Sequence, residues 1–247
     1  MKLNLIAGVA GMALVALAPG AKAFVPWVAD AGLGTVGPSG SNSVLAWEGG
    51  GSDNGLFGSP VVTADTFFFI ANHNFEAQAF GDGSTATTVT AADTLRVRVH
   101  ALNGNVFTEV HFQSSGDYTL FGSGSSVDIN GSMTISDVNS ANSATDPFHA
   151  TSSSHGGFPQ TGNDQDAVLD TWNGYSIINF GATGLGPISD IDLVFSNSLI
   201  AVTLPGDSAV IATLPNTQGS FSLQLVPTPG TLLTGMLGLG LVARRRR

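Results

Sequence analysis

Cysteine is absent from the 247 residues. A disulfide framework, a thiolate metal site and a thiol nucleophile are therefore excluded, and stability has to come from a packed core. Lysine occurs only at Lys2 and Lys22, which leaves none for a nucleotide-binding loop. Gly-x-Ser-x-Gly and His-Glu-x-x-His are missing as well, and with them the usual signatures of serine hydrolases and zinc peptidases. Residues 24–225 hold no sustained helical period. Basic charge is scarce: Lys2, Lys22, Arg244, Arg245, Arg246 and Arg247 stand at the two ends, leaving Arg96 and Arg98 against all eighteen acids. Such a surface suits nucleic acid and phosphate poorly, and divalent cations or neutral sugars better.

What is present begins at the ends. Lys2, an apolar run over residues 3–18, Pro19-Gly20 and the small-x-small site Ala21-Lys22-Ala23 read as a secretory signal peptide removed before Phe24. At the other end stand Val226-Pro227-Thr228-Pro229-Gly230, an apolar run over 232–243 and the four terminal arginines. The two prolines hold the motif extended, which predicts a protease-accessible linker. The run reads as a single transmembrane helix, although residues 231–243 alone cover only ~20 Å of a ~30 Å hydrocarbon core, so flanking residues or a thinned bilayer must contribute. Arg244, Arg245, Arg246 and Arg247 form the stop that keeps this terminus in the cytoplasm. The expected organisation is a signal peptide (1–23), an ectodomain (24–225) and a tail (226–247).

This tail resembles the PEP-CTERM signal of Gram-negative bacterial surface proteins, in which a Pro-Glu-Pro motif, a transmembrane helix and an Arg cluster are recognised and processed by an exosortase. Thr228 stands where that family has Glu, and the resemblance is confined to the tail. It implies the exosortase and the Sec export machinery as partners and an inner-membrane intermediate. It further implies a destination at the cell surface or in the extracellular, exopolysaccharide-associated matrix.

Between the ends the pattern is all-β. Short β-branched and aromatic runs separated by Gly, Asn, Asp and Pro predict an antiparallel two-sheet β-sandwich. Gly116-Asp117-Tyr118-Thr119-Leu120 with Gly122 and Gly124 also looks like the jelly-roll ectodomains that accompany such tails. Gly32, Gly34 and Gly37 match the dinucleotide fingerprint formally, but no strand leads in and Pro38 follows, so a loop is expected. Phe67-Phe68-Phe69 cannot all face one way; the strand is either covered on both faces or lines a groove, core being favoured. Residues 94–102 and 105–113 alternate around Asn103-Gly104, which predicts a type I′ hairpin. Its register sets Val97 against Val110, Leu95 against Phe112, Arg98 against Glu109 and Arg96 against His111. Residues 139–166, polar and aperiodic with His149, His155 and Phe158, predict a long exposed loop.

Candidate chemistry is thin. His73, His149 and His155 lack tight metal spacing. Asp164, Asp166 and Asp170 are the best calcium candidates, although the Gly and Glu of an EF-hand are missing and an ordinary acidic loop is favoured. Asp190 and Asp192 share a strand face as paired glycosidase carboxylates do, but hydrolysis needs one raised pKa and a cleft. No catalytic residue, cofactor or enzymatic activity is expected. Two function classes remain: a non-catalytic surface or matrix protein, and a carbohydrate-binding module of jelly-roll type in which Trp47, Trp172, Tyr118 or Tyr175 stacks on sugar rings. An exposed row of these aromatics favours the binder; burial of all four favours the structural protein. Mass spectrometry of exported material is expected to show a form beginning near Phe24 and ending near Pro227-Thr228-Pro229. Replacing the four arginines with Ser is expected to impair retention and processing, and intact Arg247 on most exported copies would refute the processing.

Overall fold

The computed structural model describes residues 24–70, 75–82, 84–163, 167–213 and 221–229. The signal segment with Ala21 and Ala23, His73, Asp164, Asp166, Gly230, the apolar run and the four terminal arginines lie outside the described residues. In chain order the strands are β1 (Val25–Pro26), β2 (Gly40–Ser41), β3 (Leu45–Ser52), β4 (Pro60–Thr63), β5 (Thr66–Phe69) and β6 (Glu76–Phe80). The long strands β7 (Thr87–Ala101), β8 (Asn105–Phe121) and β9 (Ser126–Asp137) follow. Next come the short β10 (Ser143–Pro147), β11 (His149–Ser152), β12 (Gly156–Gly157) and β13 (Gln160–Thr161). The chain closes with β14 (Val168–Asn179), a single helical turn α1 (Phe180–Thr183), β15 (Asp190–Thr203), β16 (Ser208–Thr213) and β17 (Phe221–Pro229). Among the described residues no helix is long and apolar enough to cross a membrane.

These strands form two antiparallel sheets packed face to face, a jelly-roll-like sandwich. The eight-stranded sheet runs β1-β3-β7-β15-β9-β10, with β2 on β3 and β13 on β9. The nine-stranded sheet runs β12-β11-β14-β8-β17-β5-β4, and β16 lies between β8 and β6. Strict alternation explains the layering. On β15, Ile191, Leu193, Phe195, Leu199 and Ala201 are buried while Asp192, Val194 and Ser196 look outward. On β8, Val110, Phe112, Tyr118 and Leu120 are buried while His111, Gln113 and Ser115 look outward. Phe112 stacks on Phe195 across the sandwich with ring centroids 3.5 Å apart.

Three expectations are corrected. The Asn103-Gly104 turn forms, with φ of 60° and 73° and an Asn105 N–H donating to Leu102 O at 3.1 Å. Its flanking strands do not pair, however: β7 bonds to β3 and β15, β8 to β14, β16 and β17, so the turn carries the chain from one sheet to the other. Both strands bury one apolar face, and burying the two faces against each other satisfies the same alternation as a hairpin does. Of the loop expected over 139–166, the described residues 139–163 contain β10 to β13 at the sheet margins, where short polar strands are tolerated. Finally, Val226 to Pro229 is extended but is no free linker: it continues β17 against Glu109, Phe107, Val106 and Asn105 of β8, with a bulge between Val226 and Pro227. Prolines fit there because β5 reaches only Gln224, which leaves the far edge of this stretch without a ladder partner among the described residues.

One buried acid seats the centre of the core. Asp93 on β7 is 3% exposed. Its carboxylate accepts the Ser52 hydroxyl at 2.7 Å, the Asn54 N–H at 2.8 Å and the Leu56 N–H at 2.7 Å. The Asn54 amide in turn donates to Ala92 O at 2.6 Å. This fixes the turn after β3, which delivers Phe57 into the sandwich against Phe69, Phe75, Phe112, Phe195 and Phe221 at centroid distances from 5.2 to 6.4 Å. Phe57→Ala is expected to cost about 3–5 kcal/mol in urea unfolding. Asp93→Ala, which orphans several buried donors, is expected to cost roughly 2–4 kcal/mol. The double variant is expected to fall well short of the sum, because Asp93 acts through the seating of Phe57.

Candidate functional site

The outer face of the nine-stranded sheet carries a row without Asp, Glu, Lys or Arg that crosses five strands in one register. His149 of β11 lies opposite Tyr175 of β14, Tyr175 opposite Gln113 of β8, Gln113 opposite Ser222 of β17, and Ser222 opposite Phe68 of β5. Parallel to it run Thr151, Asn173 and Ser115 on one side and Ile177, His111, Gln224 and Thr66 on the other. Tyr175 is 49% exposed and its ring lies 5.5 Å from that of His149. It lines a hollow of about 430 Å³ with Gln113, Ser115, Thr151, Asn173 and Ile177. Phe68 lines a second hollow of about 250 Å³ with Thr66, His111, Gln113, Ser222 and Gln224. An aromatic face beside amide and hydroxyl groups is the chemistry that meets a polyhydroxylated ring.

Of the four aromatics singled out in the sequence, only Tyr175 reaches this face. Trp47, Trp172 and Tyr118 are buried; the indoles donate to Gly37 O at 3.2 Å and Ala212 O at 3.1 Å, and the phenol meets Ser152 Oγ at 3.0 Å. Phe68, Gln113, Ser222 and Gln224 were not singled out. For Phe68 the signal lay in the Phe67-Phe68-Phe69 run: Phe67 and Phe69 are buried and Phe68 points outward, so a groove is lined after all.

The opposite outer face is charged. Arg98 makes a two-pronged bond to Asp192 at 2.7 and 2.9 Å and lies 3.5 Å from Glu48. Bonding and attraction from Asp192 raise its pKa above the ordinary guanidinium value. Arg96 pairs with Asp53 at 3.3 Å. The expected pairs Arg98 with Glu109 and Arg96 with His111 do not form, because β7 and β8 belong to different sheets; His111 instead meets Glu109 on its own strand at 2.9 Å. Asp190 bonds to Ser189 and His100, and these two hold its carboxyl below the usual range. The raised carboxyl that glycosidic hydrolysis needs is therefore not supplied by Asp190.

The third cluster gathers around Asp170, whose side chain is largely buried. Its carboxylate accepts the Ser152 hydroxyl, the Ser154 N–H at 2.9 Å and the Thr171 N–H at 2.8 Å, and meets His155 Nδ1 at 3.2 Å. Ser152 points at the carboxylate, not at an imidazole, so Ser, His and Asp here tie down the β11–β12 turn and form no nucleophilic relay. Among the described residues no His, Asp and Glu side chains group as metal ligands. The Ser152 hydroxyl first, then the two amides and His155, hold the Asp170 pKa well below the carboxylate range against the opposing effect of burial. A folded pKa below the unfolded value of about 3.9 means a contribution to stability that is complete above that value and lost as pH falls toward the folded pKa. Melting curves between about pH 5 and pH 2 are expected to show a smaller acid loss for Asp170→Asn than for the parent, from a lower starting Tm.

No protein-family model matches the chain, and no curated protein does. Among solved structures it is similar to the VP2 subviral particle of infectious bursal disease virus, at 12% identity and a TM-score of 0.21 over 77% of this chain and 57% of that one. It is similar to the CBM22-1 and GH10 modules of a Clostridium thermocellum endo-1,4-β-D-xylanase complexed with xylohexaose, at 8% identity and a TM-score of 0.20 over 58% of this chain and 27% of that one. A family 11 xylanase from Neocallimastix patriciarum matches at 10% identity and 0.21 over 76% and 94%. The chain thus spans little more than half of the first and about a quarter of the second. Likenesses at these scores carry no weight for the site, and the all-β sandwich rests on the strand pairing itself.

Proposed function

We propose that this protein is an exported, non-catalytic β-sandwich that binds polysaccharide on the outer face of its nine-stranded sheet. The observation that carries the reading is Tyr175, half exposed in a hollow lined by Gln113, Ser115, Asn173 and Thr151. A tyrosine on the wet face of a sheet gains nothing from the core, whereas its ring offers a sugar a flat apolar surface. The two ends support the location: a signal-peptide-like stretch over residues 1–23, and at the other end a Pro227-Thr228-Pro229 motif, an apolar run and four arginines, suit passage through Sec, an inner-membrane intermediate, exosortase processing and release to the cell surface or matrix. A second reading, a purely structural matrix protein, is favoured by the burial of Trp47, Trp172 and Tyr118.

The readings separate in one experiment. The purified protein is expected to co-sediment with insoluble neutral polysaccharide, and Tyr175→Ala to lose most of that binding at an unchanged melting temperature. Equal sedimentation of parent and variant would remove the face from consideration and leave the structural reading.

A further inference from the structure

We infer that the ligand of this face is a neutral, extended glycan lying across the strands on two aromatic platforms, Tyr175 and Phe68; this rests on the sugar-binding reading above. The two hollows are not independent, because Gln113 lines both. Tyr175, Gln113, Ser222 and Phe68 occupy one register row on β14, β8, β17 and β5. Three strand spacings of ~4.8 Å separate the rings, roughly 14 Å. A pyranose unit with its linkage advances an extended chain by about one such spacing, so about four rings reach from one platform to the other. Between the platforms, Gln113 and Gln224 supply amides and Ser222 and Thr66 hydroxyls. These can both donate and accept, as sugar hydroxyls require.

The direction and the charge of the ligand follow from what surrounds the row. Along β8 the next outward aromatic is Phe121, and the path to it passes Asp117, where burial and the neighbouring Glu76 raise the carboxyl pKa. A chain lying along the strands would cross that acidic pair, whereas the row across them holds no Asp or Glu of its own, and Asp146 lies 3.8 Å from His149 at its β11 end, beyond Tyr175. Both described arginines lie on the other sheet. Glu109, two residues from His111 on β8, is held below the usual carboxylate range by His111 and Asn179 and so stays ionised. A uronate would meet that charge with no guanidinium to offset it.

The test is calorimetric titration of the protein with cello- and xylo-oligosaccharides of one to six rings, and with oligogalacturonides of the same lengths. Affinity is expected to climb with each ring to about four and then level. Tyr175→Ala and Phe68→Ala are each expected to weaken binding of the four-ring ligand about tenfold. Phe68→Tyr keeps the ring, guards against a folding defect and is expected to bind as the parent does. Affinity that levels at one or two rings, or a four-ring affinity untouched by Phe68→Ala, would overturn the two-platform inference while leaving sugar binding at Tyr175 intact. Tighter binding of oligogalacturonides would overturn neutrality, and no binding of any neutral chain would overturn the sugar-binding reading with it.

Discussion

A carboxyl group can leave water only if donors meet its oxygens, and Asp93 imposes that condition at the centre of this sandwich. Its donors come from Ser52 at the end of β3, from the turn that follows and from its own neighbour Thr94, so satisfying one residue sets the path of a whole turn. That turn seats Phe57, which touches rings from both sheets. Phe112 on β8 and Phe195 on β15 then stack in direct contact. In a chain without cysteine, this polar clasp and the aromatic cluster it organises do what cross-links do in many exported domains. They join the two sheets across the core.

The class of fold was legible because alternation over long strands is a local property. Leu95, Val97 and Val99 point inward as the pattern required, and Arg96, Arg98 and His100 outward. Strand partners were not legible in the same way. The turn chemistry of Asn103-Gly104 was read correctly, yet a turn with two positive φ values only reverses the chain; whether the returning strand joins the same sheet is decided by surfaces far away in sequence. Arg98 shows the distance involved, for its partner is Asp192 on β15. The site was half legible for a related reason. Tyr175 could be named from residue type, but its exposure, and the burial of Trp47, Trp172 and Tyr118, depend on which strand lies beside which. Phe68 and Gln113 become neighbours of one row only through the pairing of β5 and β8 with β17.

The two outer faces divide the chemistry between them. On the eight-stranded sheet Arg96 and Arg98 are shared among Asp53, Asp192 and Glu48 in exposed pairs, which add little stability and leave more acids than bases in the cluster. On the nine-stranded sheet the outward residues around Tyr175 are amides, hydroxyls and rings. A strongly acidic chain thus keeps the row through Tyr175 clear of Asp and Glu, with Glu109, Asp117 and Glu76 standing outside it on the same sheet.

The placement of β17 has a consequence in time. This strand lies inside its sheet, between β8 and β5, and pairs Phe221 with Phe69. Counted from the amino end, β5 and β8 are complete long before β17, and each keeps an open edge until β17 arrives. Until then the sheet is two fragments with a gap one strand wide. Non-local closure of this kind is slow, and open edges invite pairing with other chains. β17 therefore joins, from late in the sequence, two parts of the sheet laid down well before it.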